Sequence, residues 1–212
     1  MVITASAGRS EAPSVHIIDD DEGFRVALGQ LLISEGHNVR QFGAAEEFIK
    51  SGNARSPGCL VLDVCLPDVS GIDLQRRLID SGILMPVVLM SGQGDIPTTV
   101  QGMKAGAVDF LPKPFDDQHL LNAVTSALSL DAENRAQEKE FADLKERVSS
   151  LSAREREVLS HVVEGQMNKQ IAFKMAISEI TVKIHRSNVM KKMGARSLAA
   201  LVRMTEALRN RS

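Results

Sequence analysis

Short apolar runs alternate with amphipathic stretches through the first 130 residues of the chain. Residues 15–18, 38–42, 59–62, 86–90 and 109–111 are enriched in Val, Ile, Leu and Phe and read as strands. Between them apolar residues recur at helical spacing, as in Phe24, Ala27, Leu28, Leu31 and Leu32, or Ile72, Leu74, Leu78 and Ile79. Five such alternations predict an α/β domain over 14–128: a five-stranded, doubly wound parallel sheet of the flavodoxin-like kind, with helices on both faces. Residues 1–13, loose and rich in Gly, Ser and Ala, read as a flexible N-terminus.

From Asp116 the pattern runs into a long helix. Leu120, Leu121, Val124 and Leu128 face the first core, 131–140 is almost wholly polar, and Phe141, Leu144, Val148 and Leu151 restore a stripe. Residues 129–149 are expected to form a solvated helical linker, since the stripe covers too few heptads for a coiled coil. The remainder, 150–212, reads as an all-α domain of four helices: one ending at Gly165, one over 168–175 followed by a tight turn, one capped by Ser178 and running to Met193, and one capped by Ser197. Ala176 sits in that turn, where a left-handed backbone costs a non-glycine residue about 1 kcal/mol.

Charge divides at the same place. Residues 1–150 hold 13 basic and 22 acidic side chains, a net of −9, and residues 151–212 hold 12 against 5, a net of +7; together they give the overall −2. A basic second domain is suited to nucleic acid. With no Trp or Tyr in the chain, contact with bases must come from helices and charge rather than aromatic stacking. No apolar run approaches the roughly 20 residues of a membrane span, and the start lacks the pattern of a secretory signal. The expected location is cytoplasmic, with no membrane partner. Cys59 and Cys65 are about 20 Å apart if the strand and its exit are extended, beyond the roughly 7 Å reach of a disulfide; both are expected to be free thiols.

Chemistry-bearing residues follow the apolar runs. Asp19, Asp20 and Asp21 come after the first, Asp63 after the third, and Lys113-Pro114 after the fifth. In a parallel sheet these positions gather at the carboxyl edge, where such folds bind ligands. Carboxylates meeting there repel one another unless a hard divalent cation lies between them, and oxygen donors suit Mg2+. Asp21 and Glu22 also fit the N-terminal charge of the helix that follows.

The stretches VHIIDDDEGFR, CLVLDVCLPDVSG, VVLMSGQGD and DFLPKPF, in this order, resemble the receiver domain of two-component response regulators over about residues 14–130. The resemblance implies Asp63 as phosphoacceptor and a magnesium shell of Asp20, Asp63 and the Cys65 carbonyl, with Asp19 acting through water. It further implies Ser91 and Lys113 as phosphoryl-binding groups, a cis Pro114, and Phe110 as an aromatic switch that turns inward. The stretch LSAREREVLSHVVEGQMNKQIAFKMAISEITVKIHRSNVMKKMGARSLAALV resembles a LuxR-type helix-turn-helix. Together the two are similar to the FixJ-like branch of the FixJ/NarL response regulators. Ile171, Met175, Ile177, Val182 and Val189 fall where the two crossing helices bury apolar groups, and Ala172 lets them approach. The outer face then presents Lys183, Ile184, Ser187 and Asn188 to base edges and Lys169, Thr181, Arg186, Lys191 and Lys192 to phosphates. His185 is read as packed in the core, since no other metal ligand lies at useful spacing.

The function expected is a transcription regulator, not an enzyme, phosphorylated by a sensor histidine kinase, binding double-stranded DNA and dimerising on phosphorylation, with RNA polymerase a further partner. Two alternatives remain open: a docking module that is never phosphorylated, and an aspartyl-phosphate phosphatase. Such a phosphatase needs an acid two residues beyond its nucleophile, where this chain has Cys65.

Overall fold

The structure, a computed structural model, describes residues 12–92 and 96–211. The expected flexible start therefore lies, through Glu11, outside the described residues, as do Gln93, Gly94 and Asp95 at the end of one motif. The chain divides into two compact units between Asn134 and Arg135. In the first, strands β1 (Ser14–Ile18), β2 (Asn38–Phe42), β3 (Gly58–Asp63), β4 (Val87–Ser91) and β5 (Asp109–Pro112) alternate with helices α1 (Glu22–Ser34), α2 (Ala45–Lys50), α3 (Gly71–Asp80) and α4 (Ile96–Lys104), and α5 (Asp117–Ser149) follows. All four ladders are parallel, in the order β2-β1-β3-β4-β5, the doubly wound order in which β1 and β3 flank the ligand-binding crevice.

Successive side chains on a strand point to opposite faces, and the two cores follow from that. Val15, Ile17, Cys59 and Val61 pack with Leu28 and Leu32 of α1 and Leu120, Val124 and Ala127 of α5. Ile18, Leu60 and Leu62 pack with Phe48, Ile72, Leu74 and Leu78 from α2 and α3. Three strands run one residue further than their apolar runs, to Asp63, Ser91 and Pro112, because the pairings Asp63↔Met90 and Ser91↔Pro112 continue the ladders. Asp63 and Ser91 thus close neighbouring strands. A Cβ on Gly71 would collide with the Asp63 carbonyl oxygen, so only glycine lets α3 begin against the end of β3.

The buried polar side chains of this unit include His16 and Asp131, both away from the carboxyl edge of the sheet. His16 on β1 is fully buried between the rings of Phe42 and Phe48, at centroid distances of 6.1 and 5.5 Å. Neither ring nitrogen has a hydrogen-bond partner among the described residues. Burial, reinforced by the charge of Arg40, pushes its pKa down to about 4. Asp131, the first residue of the polar run in α5, is also buried and accepts the Gly58 N–H at 2.9 Å. Gly58 has φ +147°, and a Cβ there would meet the Ser14 carbonyl. Burial and the charge of Asp131 push the Cys59 thiol up to about 12; it is free and buried, while Cys65 is free and exposed.

The second unit holds the end of α5 with α6 (Ala153–Val163), α7 (Asn168–Met175), α8 (Glu179–Met193) and α9 (Leu198–Arg209). Its core gathers Leu151, Val158, Val162, Ile171, Ala172, Met175, Val182, Val189, Met193 and Leu201, with Ile177 packed against them. The expectation of a solvated linker over 129–149 needs correction. The segment is helical, but Leu144 is buried in this core, Val148 packs on it, and Arg147 Nη1 donates to the Met193 carbonyl at 3.1 Å. The stripe at 141–151 is therefore the first layer of the second core. No described helix is long and apolar enough to cross a membrane.

Ala176 ends α7 in the left-handed region, φ 52° and ψ 45°. It is exposed, so the strain belongs to the backbone alone. Ala176→Gly is expected to stabilise the second unit by about 0.5 kcal/mol, the relief of the left-handed penalty less the greater unfolded-chain entropy of glycine. Urea denaturation of the two proteins would measure it, and a variant less stable than the parent would show that the turn carries no strain.

Candidate functional site

The carboxyl ends of β1, β3 and β5 bring together three acids and one lysine. Ligand oxygens of Asp19, Asp20 and Asp63 all lie within 4.8 Å of one another. Asp19 is fully buried, Asp63 nearly so, and Asp20 exposed. The Lys113 ammonium donates to Asp19 Oδ2 at 2.6 Å and to Asp63 Oδ2 at 2.7 Å. The other oxygens are held by backbone: Asp19 Oδ1 accepts the Asp21 N–H and Asp63 Oδ1 the Cys65 N–H, each at 3.0 Å. Both carboxylates are fixed in rotation, with their Oδ2 atoms turned to one cation.

The electrostatics follow from this packing. Burial raises the Asp19 carboxyl pKa, with a smaller contribution from the Asp63 charge, against the lowering effect of Lys113 and the Asp21 N–H. Burial works to lower the Lys113 ammonium, but its hydrogen bonds to Asp19 and Asp63 and their charges outweigh that and raise it. The lysine is therefore permanently charged at neutral pH.

Ser91 is fully buried at the end of β4, and its carbonyl accepts the Lys113 N–H at 2.7 Å. The Lys113-Pro114 peptide is cis. Phe110, the expected switch residue, lies next to Leu111 on β5. Its ring is already buried in the core beside α3 and α4, paired in register with Leu89.

Two contributors were not read from the sequence. The Phe24 ring lies under Lys113, its centroid 4.3 Å from Nζ, and is held edge-on by Phe115 at 5.9 Å. Arg25 Nη1 donates to the Asp19 carbonyl. Both lie in the stretch VHIIDDDEGFR, and their place in the first turn of α1, capped by Asp21 through the Phe24 N–H at 3.0 Å, was the available signal. Their helical spacing marked Phe24 only as a core residue.

In the second unit, Lys183, Ile184, Ser187, Asn188, Lys191 and Lys169 are all exposed. Three other residues expected at phosphates are engaged within the unit. Arg186 is half-buried and donates to Asn168 Oδ1 at 3.1 Å, tying α8 to α7. The Thr181 hydroxyl pairs with the capping Ser178 Oγ at 2.8 Å. Lys192 Nζ lies 2.7 Å from Glu155 Oε2 and 3.2 Å from the Ser150 carbonyl. Glu155 is buried, and the Lys192 hydrogen bond, helped by the Ser152 N–H, holds its carboxyl down to about 2. Lys192 departs from the expected phosphate face because a buried carboxylate without a cation beside it is costly. His185 is half-buried.

Comparison with known proteins adds to this geometry. The family model "Response regulator receiver domain" matches residues 15–125, and "Bacterial regulatory proteins, luxR family" matches residues 149–205. Nodulation protein W of Bradyrhizobium diazoefficiens is 47% identical over 204 residues, 95% of this chain and 90% of that protein. The transcriptional regulatory protein FixJ of Azorhizobium caulinodans is 45% identical over 194 residues, 92% of each. The solved structure of response regulator StyR superposes with a TM-score of 0.83 at 45% identity, covering 92% of this chain and 98% of that one.

Proposed function

Because the chain belongs to the two-component response regulators of the FixJ/NarL family, which join a receiver to a LuxR-type DNA-binding domain, we propose that Asp63 takes a phosphoryl group from a sensor histidine kinase and thereby controls DNA binding by the second unit. The observation that carries this is the Lys113 ammonium shared by Asp19 and Asp63 at 2.6 and 2.7 Å. It places a fixed positive charge beside a carboxylate at the ligand-binding edge of the sheet.

Asp63 is the nucleophile: its carboxylate forms an O–P bond as the P–N bond to the kinase histidine breaks. Lys113 and the Ser91 hydroxyl receive the equatorial oxygens on which negative charge builds. The donor set fits Mg2+: Asp20, Asp63 and the Cys65 carbonyl would hold it directly and Asp19 through water, the three carboxylates offering hard oxygens within 4.8 Å of one another. When bound, that ion neutralises charge on the phosphoryl oxygens. Phe24 and Phe115 keep the lysine against the acids, and Phe110 links Ser91 to the surface of β5. No acid stands at Cys65 to protonate a leaving group, so the pocket is assigned to regulation and not to turnover.

The working division is 14–128 for the phosphoacceptor domain, 129–149 for the connecting helix and 150–212 for DNA. Dimers form on phosphorylation through α4 and β5, a reading supported by the exposed Ile96, Val100 and Met103. The partners are the kinase, double-stranded DNA and RNA polymerase, all reached in the cytoplasm. At the DNA, Lys183, Ile184, Ser187 and Asn188 meet base edges, and Lys169, Thr181 and Lys191 meet phosphates. Arg186 and Lys192 brace the unit instead.

The test is to treat the chain with acetyl phosphate, with and without Mg2+, and follow intact mass, DNA affinity and sedimentation together. One added phosphoryl group only with Mg2+, tighter DNA binding and a doubled mass are expected. A phosphorylated chain with unchanged DNA affinity would sink the control mechanism, and an unchanged sedimenting mass would sink the dimer. At the DNA, Lys183→Ala should cost about 1 to 3 kcal/mol of discrimination between operators. Lys191→Ala should weaken all duplexes alike and flatten the salt dependence by about one ion. Equal effects of both variants on every sequence would remove Lys183 from the base-reading set.

A further inference from the structure

We propose that α8 reads thymine through Ile180 and Ile184, so that operators of this chain carry thymine methyl groups about two base steps apart. The inference rests on the reading of α7 and α8 as a helix-turn-helix whose second helix enters the major groove. Ile180 and Ile184 are 71% and 56% exposed. One exposed isoleucine needs no explanation, but these two stand in successive turns of a single helix, four residues apart and so on one face. The opposite face of α8 already supplies the core with Val182, Val189 and Met193.

The surroundings select the partner. Lys183 lies beside the pair, Ser187 and Asn188 continue the strip by three and four residues, and all three are exposed. Glu179 is the only acid on α8, against Lys183, Arg186, Lys191 and Lys192. An apolar strip framed by hydroxyl, amide and ammonium groups on a basic helix suits a polyanion that also offers an apolar feature. In the major groove that feature is the C5-methyl of thymine. Ser178 caps α8 through the Thr181 N–H at 3.1 Å, which puts Ile180 in the first turn, the part of a recognition helix that reaches base edges. Four residues of helix rise about 6 Å, and base pairs stack at about 3.4 Å, which sets the spacing of about two steps. Phe173, 88% exposed on α7, provides the contrast. It lies on the helix that crosses the backbone in this motif and should take no part in reading methyls.

The experiment uses the full chain and duplexes it enriches from a random pool, with each thymine then replaced in turn by deoxyuridine. Two positions about two steps apart should lose about fourfold in affinity, the worth of one buried methyl. Ile180→Ala should erase the loss at one of them and Ile184→Ala at the other, while Phe173→Ala should change neither. Equal binding of uracil and thymine duplexes at every position overturns the inference. So does retention of the difference by both isoleucine variants, and if those variants instead lower the sedimenting mass, the strip meets protein. A pool from which no duplex is enriched overturns the helix-turn-helix reading and this inference with it.

Discussion

Asp63→Asn is expected to take up no phosphoryl group under conditions in which the parent chain takes up one. An amide lacks the anionic oxygen that attacks phosphorus, and the other acids are poorly placed to substitute. Asp19 is fully buried with both oxygens engaged, by the Asp21 N–H and by Lys113, and Asp20 has no cation pressed against it in the same way. The fold should survive, since the asparagine oxygen still accepts from Lys113 and one charge is removed from a cluster of three acids. Asp19, whose carboxyl is raised first by burial and also by the Asp63 charge, loses one of the influences that raise it. Intact mass after treatment with acetyl phosphate and Mg2+ decides the matter. A variant labelled as fully as the parent would mean that another side chain is the acceptor.

Acid should weaken the first unit through His16. Its pKa lies near 6.5 in the unfolded chain and is pushed down to about 4 in the fold. The unfolded chain therefore takes up a proton that the fold refuses. The sign is fixed: the stability is fully present above pH 6.5, falls as the pH drops below that value, and levels off below about 4. The loss is about 3 kcal/mol over that window, a large share of the stability of a domain. His16→Leu should remove this part of the pH dependence. It should also raise stability at pH 7 by about 1 to 3 kcal/mol, because two ring nitrogens are buried without a partner. Urea titrations of parent and variant at pH 7 and pH 4.5, with the amides of β1 and β3 followed by hydrogen exchange, separate the residue from the other acids that titrate there. Parallel profiles for the two proteins would show that water reaches the histidine.

The strands and the placement of the acids were legible because both depend on local pattern. Alternating runs fix the strands, and a strand's end fixes where its next residue stands. Even the one-residue error at Asp63 and Ser91 was an error of ladder length, since polar residues that pair with a neighbour count as strand whatever their hydropathy. What stayed illegible depends on side chains meeting from distant parts of the chain. Lys192 reads as one more cation on a basic helix until Glu155, 37 residues earlier, proves to be buried beside it. Phe24 reads as helix core until Lys113 lies on its ring. His16 has the spacing of a strand residue facing inward, and nothing in that spacing says that both nitrogens will go without a partner.

The buried carboxylate of Asp131 also decides where this protein can be divided. A first fragment stopped at 128 would leave the Gly58 N–H without its acceptor. A second fragment begun at 150 would lack Leu144 and Val148, which cover the other core. Severed between Asn134 and Arg135, Asp131 stays with Gly58 and Leu144 and Val148 stay with their core, so the stretch of helix that looks like spare tether in the sequence is shared out between two owners.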